Sequence, residues 1–344
     1  MSRAPRLIIT VDYEVFGNGS GCLERCVLDP ASRMLKIAEC FEAPITLFVE
    51  ALEFIAMERL CGDYRVRDQL QGALKNGHDA QLHIHPQWLG ASKGKNNWAL
   101  DMGKWRIGDL SCNEAYNALS HGKKWLEAIA AQHGGYKCLA FRAGGWCIQP
   151  SESVIASLQK LGFAVDSTVA PGFRNTSPGE WYDFRGMPAL PYWQTTGDVC
   201  REGPAGILEV PIVTGKIGCL RHLQAVQRSR IQEWGFAPGC KGSYQGADGL
   251  LGRLRGKASR LADLGRVMLD LSTMPVDVLI DVTGQWLSEH GQNAAALPLV
   301  AIAHSKNFTR ESEAGLEEYL HWAQSVGLVF STFGGWLETL NGDH

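Results

Sequence analysis

The chain has 344 residues, 45% of them hydrophobic and 20% charged, with a formal net charge of -3. That length suits one large domain or two small ones around a sizeable core, and the charge balance excludes the basic footprint of a nucleic-acid binder and a polybasic membrane anchor. No run approaches the ~18 consecutive apolar residues of a membrane span.

The opening "MSRAPRLIITVDYE" meets acids too soon to be a signal peptide, so a cytoplasmic protein is expected. Its apolar run "RLIITVD" predicts a strand that ends on Asp12 and Glu14. "CLERC" follows. It is the only close pair among ten scattered cysteines, and no second pair completes a four-ligand site, so reduced thiols are expected. "ASRMLKIAECFE" has helical spacing at Met34, Leu35, Ile37, Ala38 and Phe41. "APITLFVE" is a second strand, and "RVRDQLQGALKNG" is a helix stopped by Gly77. "HDAQLHIHP" is a third strand. "NEAYNALSHGKKWLEAIAAQHGG" is a long helix with a Gly-Gly stop, "CLAFRAGG" a fourth strand, "PSESVIASLQKLGF" a helix and "AVDST" a fifth strand.

The middle is less regular. The segment from Gly172 to Gly206 is rich in glycine, proline and aromatics and reads as loops; "ILEVPIVTG" follows as a strand. Residues 216–290 contain helical patterns such as "LLGRLRGKASRLADLGRVMLDL" and are expected to form a helical insertion or cap within a single domain spanning 1–344. A last apolar run, "PLVAIAH", ends on His304. Alternating strands and helices predict a parallel sheet with right-handed crossovers, open or closed into a barrel. Chemistry in such folds sits where the strands end. Asp12, Glu14, His83, His85, Arg142 and His304 all stand at such ends.

Residues at i and i+2 of a strand share a face, so "LHIHP" presents two imidazoles together. Two histidines and one carboxylate, from Asp12 or Glu14, leave an open position for water, the pattern of a catalytic zinc site. The second acid of the pair is then free to take a proton. Arg142 lies between apolar flanks and a Gly-rich turn, where it can pair with a carboxylate and fix its geometry. His304 can supply a general acid, because imidazole titrates near neutrality.

These segments, in this order, resemble the polysaccharide deacetylases of the NodB-homology type, carbohydrate esterase family 4. "TVDYE" is similar to the family's Thr-Phe-Asp-Asp, "PITLFVE" to Ala-Thr-Phe-Phe-Val, "GHDAQLHIHPQW" to its His-rich motif, "FRAGGW" to Arg-x-Pro-x-Gly and "VAIAH" to Leu-x-Leu-x-His. The resemblance spans residues 7–304 and implies a distorted (β/α) barrel of about seven units. It also implies a metal-dependent hydrolase that removes an N-acetyl or related acyl group from an amino sugar or polysaccharide precursor. Asp12 is then the base, Glu14, His83 and His85 hold a divalent metal, in the simplest case zinc, Arg142 orients the base and His304 protonates the leaving amine. Tyr13, Gln87 and Ala143 stand where the family has aspartate, histidine and proline. Asp166 and Asp198 are candidates for the aspartate that tunes the acid histidine. Tyr13, Trp88, Gly144, Gly145, Trp146 and Trp193, with Asp166 and Asp198, complete the candidate substrate-binding set, and Trp98 and Trp105 are further aromatics that could stack on sugar rings. Two alternatives are an amidohydrolase of a small non-sugar amide and a carbohydrate-binding protein with a decayed site.

Overall fold

The computed structural model describes residues 4–95, 97–177, 179–231, 264–291 and 296–342. The opening run forms strand β1, Arg6–Tyr13, with every residue after Arg6 buried. A strand buried on both faces belongs inside a parallel sheet covered on both sides, and β1 has that place. In chain order the other strands of the main sheet are β2 Ile45–Glu50, β3 Asp79–Ile84, β4 Ala140–Ala143, β5 Val165–Asp166, β6 Trp193–Thr195, β7 Ile207–Glu209, β8 Pro298–His304 and β9 Val329–Phe330. Their order across the sheet is β6-β7-β5-β4-β3-β2-β1-β8, with β9 beside the start of β1. All pairings are parallel except β6 with β7. Beyond β7 an isolated parallel bridge joins Ile212 to Val300 of β8. The sheet thereby curls into a distorted barrel, the predicted class.

Helices α1 Asp29–Cys40, α2 Ala51–Cys61, α3 Arg65–Lys75, α4 Cys112–Ala130 and α5 Glu152–Lys160 link or flank the first five strands. α4 opens with a capping box between Ser111 and Glu114, which satisfies donors that the first helical turn leaves open. The sequence pattern did not reveal α2: six of its first seven residues are buried, so no polar stripe marks a helical period. Residues 216–290, where a helical insertion or cap is expected, are described only in part: α6 Cys219–Ile231, the strand Arg266–Met268, which pairs with Thr214–Lys216, and α7 Val276–His290. Residues 232–263, with most of "LLGRLRGKASRLADLGRVMLDL", lie outside the described residues. Helix α8, Arg310–Ser325, follows β8, and α9, Phe333–Gly342, follows β9. Among the described residues no helix is long and apolar enough to cross a membrane.

Alternation divides each strand between two cores. Leu7, Ile9, Val11 and Tyr13 of β1 join the larger cluster, which also takes in helix residues. Ile8, Phe48, Ala140, Val165, Val300, Phe333 and Trp336 form a second cluster inside the curl of the sheet. Phe333 meets Phe48 edge to face at 5.8 Å, and the Arg142 guanidinium lies 4.2 Å from the centre of the Phe48 ring. One face of the curled sheet is therefore apolar up to Phe48 and becomes ionic one step further on.

Candidate active site

In the parallel register Asp12 of β1 stands directly beside His304 of β8, and His83 of β3 lies between Glu50 of β2 and Arg142 of β4. Residues 292 positions apart in the chain become neighbours because both runs end at the same sheet edge. Three of these strands lead straight into a single helical turn, Pro86–Trp88 after β3, Gly144–Trp146 after β4 and Ser305–Asn307 after β8. The abrupt turns keep the strand-end side chains at the rim.

Asp12 is 3% exposed and Arg142 is fully buried. Arg142 donates from Nη1 to Asp12 Oδ1 at 2.6 Å, from Nε to the Ser167 carbonyl at 2.8 Å and from Nη2 to Ser167 Oγ at 3.3 Å. The other carboxylate oxygen, Oδ2, faces His304 Nε2 at 3.5 Å. Burial pushes the Asp12 carboxyl up, but Arg142, His83 and His304 together more than offset it and hold it below the usual range. Asp12 is thus an ionised carboxylate with one oxygen fixed and one oxygen toward an imidazole.

Glu14, also 3% exposed, divides its oxygens in a similar way. Oε1 accepts from Lys306 Nζ at 2.5 Å. Oε2 lies 2.9 Å from His85 Nε2 and 3.6 Å from His83 Nε2. Burial raises this carboxyl, yet Lys306 first and then His85 bring it well below the ordinary value. For the rings the balance differs: Asp12 and Glu14 overcome desolvation at His83 and raise it, whereas burial prevails at His85 and lowers it.

Glu14 Oε2, His83 Nε2 and His85 Nε2 are buried, and none has a well-directed hydrogen bond to a described residue. The ligand atoms of these three residues lie within 4.8 Å of one another. Buried polar atoms without partners are costly and rare, so three that converge on one point call for a proton or a metal ion between them. The His83 ring is oriented to match: its Nδ1 lies 3.0 Å from the Arg142 carbonyl, which can only accept, so the proton is on Nδ1 and the Nε2 lone pair faces the cluster. One carboxylate and two imidazoles fit a divalent metal with an open position. Asp12, Glu14 and His304 form a second, overlapping set.

Several expected residues join this centre and several do not. Trp146 does: its ring centre is 6.1 Å from that of His304, and its backbone adopts φ 57°, a left-handed conformation rare for a bulky side chain. Gly144 does too, since a Cβ there would meet the His85 ring at 2.6 Å. Gly145, at φ 57°, allows the turn. Trp105 packs edge-on to His85 at 5.6 Å. Asp166 is buried beside Arg142 rather than His304; its Oδ1 accepts from Thr168, and it neighbours Glu209 across the ladder. Glu209 is pushed well above the carboxylate range by burial and by Asp166, so a proton resides on this acid pair.

The remaining residues of the expected substrate-binding set have their contacts elsewhere. Tyr13 points to the helix side, because alternation sends it opposite to Asp12 and Glu14, and its hydroxyl donates to Gln69. Trp88 is 2% exposed and packs edge-on against Trp98 at 5.1 Å. Trp193 is buried on β6, its Nε1 donating to the Val199 carbonyl. Asp198 caps a turn by accepting from Cys200 N and pairs with Arg201. Sequence reasoning gave three residues of the centre no role. Lys306 stands two positions after His304, and its signal was a cation within "AHSKNF". Gln87 ends "HIHPQ" and touches His85. Glu50 ends β2 on an acid as β1 does, but it accepts from His85 N at 2.8 Å and caps α2 through Glu53 N at 2.5 Å. Burial pushes Glu50 up to about 8.

The geometry invites comparison with solved structures. At 13% identity, with a TM-score of 0.54, the chain superposes on a protein from Mycobacterium smegmatis classed as a polysaccharide deacetylase, over 100% of this chain and 92% of that one. This is the fold of that protein. Puue allantoinase matches with the same 13% identity and a TM-score of 0.52, again over 100% of this chain and 92% of the other. A 4-alpha-glucanotransferase from Thermococcus litoralis matches at 12% identity and a TM-score of 0.53, over 98% of this chain but only 40% of its own length. Neither a family model nor a curated protein matches the sequence.

Proposed function

We propose that the protein is a metal-dependent hydrolase of a carbon-nitrogen bond, removing an N-acetyl or related acyl group from an amino sugar. The observation that carries this reading is the pair of differently equipped carboxylates at one sheet edge. Asp12 is held by Arg142 and faces His304; Glu14 is held by Lys306 and faces two imidazole nitrogens. Glu14, His83 and His85 would hold the divalent cation, which when bound supplies Lewis acidity toward water and the amide carbonyl. Asp12 Oδ2, ionised and unable to turn away while Oδ1 is bonded to Arg142, accepts the proton of the attacking water. His304 Nε2 faces the same space and delivers a proton to the leaving amine, which departs poorly as an anion. Its Nδ1 is buried and without a hydrogen-bond partner among the described residues, as is Trp146 Nε1.

A second reading, hydrolysis of a small non-sugar amide, is favoured by the burial of the groups. His83, His85, Asp12 and Glu14 are all at most 3% exposed, and Trp105 and Trp146 stand beside the two histidine ends. Groups buried to this degree suit a monosaccharide, a chain end or a small amide better than the middle of a polymer. The test is elemental analysis of protein purified without chelator, with acyl release measured on N-acetylated sugars and on small cyclic and linear amides. His83→Ala and His85→Ala should each lose both metal and release. Full metal content in both variants would refute the assignment of the ligands.

A further inference from the structure

The two ends of the His85 ring ask for different protons. At Nε2 the ring faces Glu14 and the His83 nitrogen, where a ligand needs a lone pair. At Nδ1 it lies 3.0 Å from Gln87 Nε2. The same amide nitrogen lies 3.0 Å from the Gly17 carbonyl. A carbonyl only accepts, so the Gln87 NH2 group, not its oxygen, must occupy this position. With its two hydrogens it donates to both neighbours. His85 Nδ1 is then an acceptor, and in the neutral ring the proton is forced onto Nε2, the atom that should bind metal. Gln87 is fully buried, and its Oε1 has no hydrogen-bond partner among the described residues. His83 has the opposite arrangement, because its Nδ1 faces the acceptor carbonyl of Arg142.

We propose that Gln87 is a tautomer latch on the metal centre: its amide holds His85 in the Nε2–H form, and metal entry requires the amide to turn. A half-turn about the last side-chain bond presents Oε1 to an Nδ1–H and frees the Nε2 lone pair. The same turn sets Oε1 against the Gly17 oxygen and removes that carbonyl's donor. Metal binding therefore works against a hydrogen bond that the metal-free protein makes. The latch acts through His85 and touches neither substrate nor metal, so Gln87 is a positioning residue. This inference rests on the ligand assignment proposed above.

The test begins with the unaltered protein. Histidine ring nitrogens are labelled with 15N, and long-range nitrogen–proton correlations are recorded on metal-free protein at mildly alkaline pH, with His83 and His85 identified from His83→Ala and His85→Ala. His83 should give the Nδ1–H pattern and His85 the Nε2–H pattern. Zinc affinity is then measured by competition with a chromophoric chelator for wild type, Gln87→Glu and Gln87→Met. The glutamate offers Nδ1–H an acceptor and the methionine removes the donor, so both should move His85 toward Nδ1–H. Zinc should bind ~10–100-fold more tightly in Gln87→Glu, the range typical of a changed partner behind a ligating histidine. An Nδ1–H pattern for His85 in wild-type protein that binds zinc overturns the latch alone. So does unchanged affinity in both folded variants. If none of the three proteins binds zinc, the latch falls together with the metal reading.

Discussion

Replacing Arg142 with methionine should destabilise the protein in a way that depends on pH, and the sign separates a buried ion pair from mere packing. Methionine keeps the apolar stem and removes the guanidinium. The change deletes the 2.6 Å bond to Asp12, both bonds to Ser167 and the contact with the Phe48 ring. Breaking one partner of a fully buried pair costs about 3–5 kcal/mol, because the other charge stays desolvated. That is a large share of the ~5–15 kcal/mol by which domains are stable. In the wild type Asp12 titrates below its unfolded value, so its stabilisation is present above the unfolded pKa and is lost as pH falls through the folded one. Without Arg142, burial dominates and Asp12 should titrate above its unfolded value; the variant then regains stability as pH falls through that raised pKa. Each unit of upward movement adds about 1.4 kcal/mol to the difference between the two pH regimes. Urea unfolding of wild type, Arg142→Met and Arg142→Lys at mildly alkaline and mildly acidic pH measures it. The deficit of Arg142→Met should be largest at alkaline pH and shrink on acidification, with Arg142→Lys intermediate. A deficit equal at both pH values, or below about 1 kcal/mol, would refute the argument that Arg142 keeps Asp12 ionised.

Three further outcomes are expected at the centre. Asp12→Asn keeps the shape but cannot accept a proton; turnover should fall by ~100-fold or more with metal content retained, and loss of metal here but not in Glu14→Gln would exchange the two acids' roles. His304→Ala should depress turnover of an N-acetyl substrate strongly and of an activated ester far less, since only the amine needs a proton to leave; equal losses would leave His304 as a structural residue. Gly144→Ala puts a methyl group 2.6 Å from the His85 ring, so chelator competition should register weaker metal binding while the Asp12–Arg142 pair, read through the unfolding profile, is unaffected.

Much of the barrel could be read from the sequence because its signals are local. Apolar runs ending on ionisable residues marked β1, β3, β4 and β8, and the period-two rule put Asp12 on the same side as Glu14 and His83 on the same side as His85. The same rule, applied fully, would have turned Tyr13 toward the helices. Glu50 shows the limit of the signal: it too is an acid at a strand end, yet it accepts from His85 N and caps the next helix through Glu53 N. The pattern did not reveal α2, whose burial leaves no polar stripe, and aromatic composition could not tell Trp146 beside His304 from Trp88 and Trp193 in the packing.

What the sequence by itself determined is which residues stand at strand ends. Side-chain alternation and hydrophobic periodicity are set by backbone geometry within a few residues, and they survive without knowledge of neighbours. Only the tertiary structure decided what each end meets. That Arg142 grips one oxygen of Asp12 while His304 faces the other, that Lys306 takes Glu14 Oε1 and leaves Oε2 to the histidines, and that Gln87 stands between His85 and Gly17 all depend on strand order and register. These contacts join segments up to 292 residues apart in the chain. Their energies come from burial and from distances of about 3 Å, quantities that no local pattern encodes.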